Sequence, residues 1–277
     1  VIARITGAAM RAVLVAILIA TPALLVPGIV SGGPELILLL ALIAAVLTFL
    51  EYNTAYPSIV EFRDAPPLNR IRFIALFATV FFLTVMAKHA VAPTGLTTLV
   101  ASLGGLIGDA VDFPYSPVRL VILILPSDAP LALYEAVRMS AGVAYTIAFL
   151  ATLIFLMLVR LLGWPTGAGS FNVWINLPLF DPTTGGDVVQ RLHRDARINI
   201  ILGVLLPFLI PALMKMASAI IDPAILHNPH TLIWTISAWA FLPASIIMRG
   251  IAMSRIGDLI EEQRRRTYAN AEAAQTV

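Results

Sequence analysis

Few residues in this sequence have chemistry to offer, and they are scattered. Lys88-His89 interrupts an apolar run, where a charge costs ~2.5–3.5 kcal/mol at the centre of a span on insertion scales. The pair would serve a proton or ion pathway, or present an imidazole to a haem or chlorin metal. Its plainer role is an anchor whose lysine snorkels to the headgroups. Lys215 stands one turn beyond Pro207 and Pro211, which are four apart and share a helical face. Broken helices line substrate sites in transporters, although a lysine this close to a loop also snorkels. Glu51 is the carboxylate nearest a membrane core on the side richest in arginine. Buried, it would couple protons; at the surface it would pair with Arg63 or Arg160.

Asp222, His227 and His230 bracket one short loop. Two imidazoles and a carboxylate are metal ligands, but Pro229 between the histidines excludes a helical i,i+3 pair, and helix capping is the simpler role. Asp109, Asp112, Asp128 and Glu135 share another connector. Carboxylates can form a general acid–base pair or a cation site; their spacing here matches no such motif and fits a solvated face. Gly185-Gly186-Asp187 precedes a helix but lacks the Lys and Ser/Thr of a P-loop. No HExxH, GxSxG or GxGxxG occurs in a usable context. The sequence assigns no catalytic residue and no cofactor.

What must position these residues is a membrane-embedded bundle. The 277 residues are 59% hydrophobic and 12% charged, against about 25% charged in soluble domains, and the mean hydropathy is +0.91. Long apolar runs recur without the period-2 alternation of a barrel. There is no cysteine, which excludes disulfides, thiolate nucleophiles, iron–sulfur clusters and zinc–thiolate sites. A net charge of +2 gives no reason to expect nucleic acid as a partner.

Six spans are predicted: Met10–Val30, Leu36–Tyr56, Phe73–Val91, Met139–Val159, Ile198–Ile221 and Thr231–Met248. The first is read as a retained span, because the uncharged run from Ala12 to Pro34 is 23 residues, longer than the ~7–15 of a signal peptide's apolar region. Gly142, Ala144, Ala148 and Ala151 give the fourth a close-packing face. With both termini on one side, 14 of the 18 basic residues fall there and 4 (Lys88, Arg119, Arg138, Lys215) on the other. By the positive-inside rule the first side is cytoplasmic.

The outer connector, 92–138, carries an apolar stripe of Leu96, Leu99, Val100, Leu103, Leu106, Ile107 and Ala110 at helical spacing. It predicts an amphipathic helix on the outer leaflet or packed over the bundle, followed by a short apolar run, Leu120–Leu125, that would suit a re-entrant hairpin. The inner connector, 163–196, starts as a Pro/Gly-rich loop whose Trp164 and Trp174 would sit at the interface, and ends in a short helix capped by Asp187. The last span continues as a basic helix that frays after Tyr268. The predicted organisation is thus a six-span helical domain, 1–253, and a cytoplasmic tail, 254–277, whose Arg255, Arg264, Arg265 and Arg266 would meet lipid headgroups or partners.

The fold class expected is an all-α integral membrane protein of a bacterial inner membrane. Sparse intramembrane charge, apolar connectors and a basic tail point to a non-catalytic accessory, structural or assembly subunit of a membrane complex, with the bilayer and other membrane subunits as partners. The alternative is a small transporter or channel using Pro207, Pro211, Lys215, Lys88 and Glu51. An intramembrane enzyme acting on a lipid-like substrate comes third, since no nucleophile–base constellation is visible.

Overall fold

The computed structural model describes residues 2–26, 34–165, 172–180, 185–217 and 226–275. All regular structure among them is helical. Six helices are long and apolar enough to cross a membrane: α1 (Ile2–Leu25), α2 (Pro34–Asn53), α3 (Leu68–Val91), α6 (Leu131–Leu161), α8 (Val188–Met216) and α9 (Pro229–Gln275). Between α3 and α6 lie α4 (Gly95–Val111) and α5 (Pro117–Ile122), and α7 (Val173–Asn176) precedes α8. This is a multi-pass helical membrane protein.

Helix bounds run past the uncharged stretches. α1 begins eight residues before Met10 because its arginines leave the apolar zone sideways: Arg11 Nη1 donates to Gly7 O at 2.7 Å, and its guanidinium lies 4.6 Å from the Tyr52 ring centre. α6 begins at Leu131 rather than Met139, its Arg138 paired with Asp109 at 2.7 Å. The short helix predicted before the fifth span is one piece with it in α8, capped by Asp187 Oδ1, which accepts from Val189 N. The tail is helical to Gln275 rather than frayed after Tyr268, so α9 passes residues 253 and 254 without a break.

The core is formed by α3, α6 and α9, with Leu83, Val137, Ala141, Phe155, Ile233 and Met248 fully enclosed. Small side chains let these helices approach, since in lipid it is close packing and not water exclusion that drives helix association. The Gly142–Ala151 face of α6 is buried as its composition implies. A Cβ on Gly142 would lie 2.6 Å from Gly108 Cα, so α4 meets α6 backbone to backbone.

α4 packs against the last turns of α3 and the first half of α6. Thr97 meets His89, Gly104 meets Met86, and Gly108 meets Arg138 and Met139. Its leucine stripe faces outward: Leu96, Leu99, Leu103 and Leu106 are exposed while Thr97, Gly104 and Gly108 are buried. This is the stripe of a lipid-facing helix, not of one that buries leucine against protein. After it, α5 and the turn to Leu125 bury Val118, Val121, Ile122, Ile124 and Leu125 against the bundle.

α8 and α9 form a long antiparallel pair. Pro243, Gly250, Gly257 and Arg264 recur every seven residues on α9, the repeat of a coiled-coil seam. Opposite them, Gly203 abuts Pro243 O, Ala196 O faces Gly250, the His193 ring covers Gly257, and Asp187 meets Arg264. α8 carries two internal prolines. Pro211 has no N–H for the carbonyl of Pro207, and Trp239 Nε1 of α9 donates to that carbonyl at 3.2 Å. The carbonyl freed by Pro211 is therefore satisfied by the neighbouring helix.

Candidate functional site

Most of the polar side chains that bind distant parts of the chain gather at one end of the bundle, where the 54–67 turn, Trp164, residues 172–180, the start of α8 and the second half of α9 meet. Its centre is an ion pair. Glu61 takes both Arg249 Nε (2.6 Å) and Nη2 (2.8 Å) on its two carboxylate oxygens. The Glu61 side chain is 7% exposed and that of Arg249 26%. Arg249 Nη1 also donates to Asn199 Oδ1 of α8, and Arg72 Nη2 of α3 donates to Ser245 O of α9 at 2.8 Å. One carboxylate thus ties the 54–67 turn to both members of the α8–α9 pair.

Above this sits Trp164, 2% exposed. Its ring packs edge-on to Phe155 and against Phe62; its Nε1 donates to Pro66 O at 3.0 Å, and its own carbonyl accepts from Arg255 Nε. Trp164 is therefore a buried keystone, not an interfacial residue. Phe62 holds a positive φ of 53°, a conformation that costs on the order of 1–3 kcal/mol and is kept by the surrounding aromatic packing and by its N–H bond to Asn176 O. Asn176 Oδ1 accepts a second backbone N–H, from Asp64.

Glu51 lies at this same end and acts on its own neighbourhood. Its carboxylate accepts from the backbone N–H groups of Ser58, Ile59 and Val60 and from the Ser58 hydroxyl. Its pairing is thus with the turn's backbone rather than with Arg63 or Arg160. Arg63 instead caps α2, donating to the carbonyls of Glu51, Thr54 and Ala55.

Lys88, His89 and Lys215 lie at the opposite end, because α3 and α8 run away from the one that holds Glu51. His89 Nδ1 is 3.3 Å from Thr97 Oγ1, and Lys215 Nζ donates to Leu125 O at 3.5 Å. The structure does not bring the four intramembrane candidates together. Near the same end Arg119 Nε lies 2.8 Å from Asp112 Oδ1, an ion pair by distance whose angle is off the hydrogen-bond direction.

Comparison with family models, with curated proteins and with solved structures finds no match to this chain. Its function rests on its own geometry.

Of the proposed metal ligands, Asp222 lies outside the described residues. His230 Nε2 accepts from Trp234 Nε1 at 3.2 Å, which occupies the lone pair a metal would take. Asn228 Oδ1 caps α9 through the N–H groups of His230 and Thr231. Among the described residues no group of three His, Cys, Asp or Glu is placed to hold a metal ion.

The four basic tail residues divide. Arg255 turns inward to Trp164 O and lies 3.7 Å from Glu262. Arg264 pairs with Asp187 at 2.6 Å and Arg265 with Glu261 at 2.7 Å, while Arg266 is exposed. The Arg264 hydrogen bond holds the Asp187 carboxyl below the usual carboxylate range. This solvent-exposed latch is complete above that range and fades only as pH falls through the depressed value.

Sequence reasoning missed Glu61, Arg249 and Trp239, and placed Trp164 at the interface rather than in the core. For Trp239 a signal existed: a proline inside a span leaves a carbonyl in need of a donor, and an indole N–H on a neighbouring span supplies one.

Proposed function

We propose that this chain is an accessory or assembly subunit of a bacterial inner-membrane protein complex, with both termini cytoplasmic and the far end of α9 as its docking element. The observation that carries this reading is the length of α9. Its 47 residues span about 70 Å, whereas the hydrocarbon core is about 30 Å thick. The helix beyond Met248 therefore projects well outside the bilayer. The start of α8 braces it there through the Gly250 and Gly257 contacts and the Asp187–Arg264 pair. Past that pair the helix is exposed through Glu272. A rigid stalk leaving the membrane at the arginine-rich end suits a role in holding another protein.

The test is co-purification in mild detergent followed by mass spectrometry, with the full chain and with a chain ending at Asp258. The full chain is expected to bring down a stoichiometric membrane partner. The shortened chain is expected to reach the membrane fraction at comparable levels and to lose that partner. Elution of the full chain alone, at its own mass, would contradict the proposal.

One observation favours a transporter instead. A cavity of about 210 Å³ lies beside Pro211, lined by Ile210, Met214, Val121, Ile236, Trp239 and their neighbours. That lining suits an apolar solute or acyl chain rather than an ion. The transport reading requires Lys88→Ala and Lys215→Ala to abolish transport with normal insertion; a subunit tolerates both.

A further inference from the structure

A second cavity, about 580 Å³, opens at the arginine-rich end where the first turns of α1 meet the end of α2. Arg4 and Arg11 enter from α1, Tyr52 from α2, Arg63 and Asp64 from the following turn, and Asn172 from the segment before α7. Three guanidiniums thus face one carboxylate, and that carboxylate is already held by Arg63 Nε at 3.1 Å. Arg63 spends most of its other donors on the carbonyls of Glu51, Thr54 and Ala55, at and just past the end of α2. Arg11 gives one N–H to Gly7 O and rests on the Tyr52 ring, which aims its guanidinium while leaving the remaining N–H groups unspent. Among the described residues neither Arg4 nor Arg11 has a carboxylate partner.

Arginine presents a planar fork of donors that matches the oxygens of phosphate. We infer that this cavity binds the phosphodiester of an anionic phospholipid headgroup, with Arg4 and Arg11 as direct ligands and Arg63 as a fixed positive charge behind them. Met10, Leu14 and Ile17 of α1 and Leu47 and Leu50 of α2 are exposed on the hairpin that carries the cavity. They continue the site with an apolar surface on which acyl chains can lie. Basic pockets between spanning helices are where anionic headgroups are held. The site is independent of whether the chain serves as a subunit or a transporter.

The experiment uses the purified full chain, delipidated in detergent. Thermal shift and native mass spectrometry follow titration with phosphatidylglycerol, with phosphatidylcholine and with inorganic phosphate. Phosphatidylglycerol is expected to bind and to raise the unfolding midpoint, and phosphatidylcholine is not. In the R4Q/R11Q variant its apparent affinity is expected to fall on the order of 10- to 30-fold. R265Q/R266Q, which removes the same charge from the exposed tail, is expected to match the wild type. R4Q alone provides a variant at an exposed position, and a several-fold loss is expected from it even if the double variant folds poorly. A midpoint shift from inorganic phosphate equal to that from the lipid, lost in the same variants, would keep the phosphate site and assign it to a soluble anion. Equal binding of both lipids, an unchanged affinity in R4Q and R4Q/R11Q, or an equal loss in R265Q/R266Q would overturn the inference.

Discussion

Glu61→Ala is expected to destabilise the folded protein by about 3–5 kcal/mol, the usual cost of removing one partner from a buried ion pair. The reason is what stays behind. Arg249 would keep only Asn199 as a side-chain partner, and Arg72 would lie nearby in the same enclosed region with no carboxylate to balance it. The loss should appear as a lower unfolding midpoint in detergent and as greater protease sensitivity at the arginine-rich end. A Glu61→Met/Arg249→Met double variant separates pairing from packing. It removes the charge and the need for it together, so it is expected to cost less than the two single changes added, by about 1–3 kcal/mol. Additive losses would show that the two residues act separately and that the pair is not the fastener described above.

Trp164→Ala carries the other large expected effect, about 3–5 kcal/mol for truncating a large buried aromatic. The indole packs on Phe62 and Phe155 and closes the hydrogen bond to Pro66 O, so its loss leaves both a void and an unpaired carbonyl. Trp164→Phe fills much of the void but keeps the carbonyl orphaned. It is expected to recover more than half of the stability, measured as the midpoint in the same detergent. Arg255 binds the Trp164 carbonyl rather than its ring. The α9 tail should therefore stay docked in Trp164→Phe, with unchanged proteolysis after Arg255.

The spanning helices were legible because an uncharged run of fifteen or more residues has few alternatives to a helix in lipid. Their ends were not. Arg11 and Arg138 lie inside helices because an arginine can bend along the surface to a carbonyl, an aromatic face or an aspartate, as Gly7 O, Tyr52 and Asp109 show. The helix in the outer connector was legible, but its orientation was not. Apolar periodicity identifies the leucine face of α4 without saying whether lipid or protein receives it, and here Gly104 and Gly108 win the protein side by allowing backbone contact with α6. The intramembrane candidates were chosen one at a time for being charged in an apolar setting. Such a choice does not see that Glu51 and Lys215 lie at opposite ends, nor that Glu51 is taken up by a turn. Glu61 sits in the same arginine-rich connector as Arg63, Arg70 and Arg72, where nothing local singles out a partner 188 residues away.

The orientation proposed for the α9 stalk requires six crossings with the arginine-rich end inside the cell. The chain has no cysteine of its own, so single cysteines can be read without background. Ser127→Cys, in the exposed turn beyond α5, and Tyr268→Cys, on the exposed part of α9, mark the two ends. With a membrane-impermeant maleimide on right-side-out spheroplasts, Ser127→Cys is expected to label at once and Tyr268→Cys only after permeabilisation. Labelling of both from the same side, or the reverse pattern, would contradict the six-span arrangement and the orientation with it.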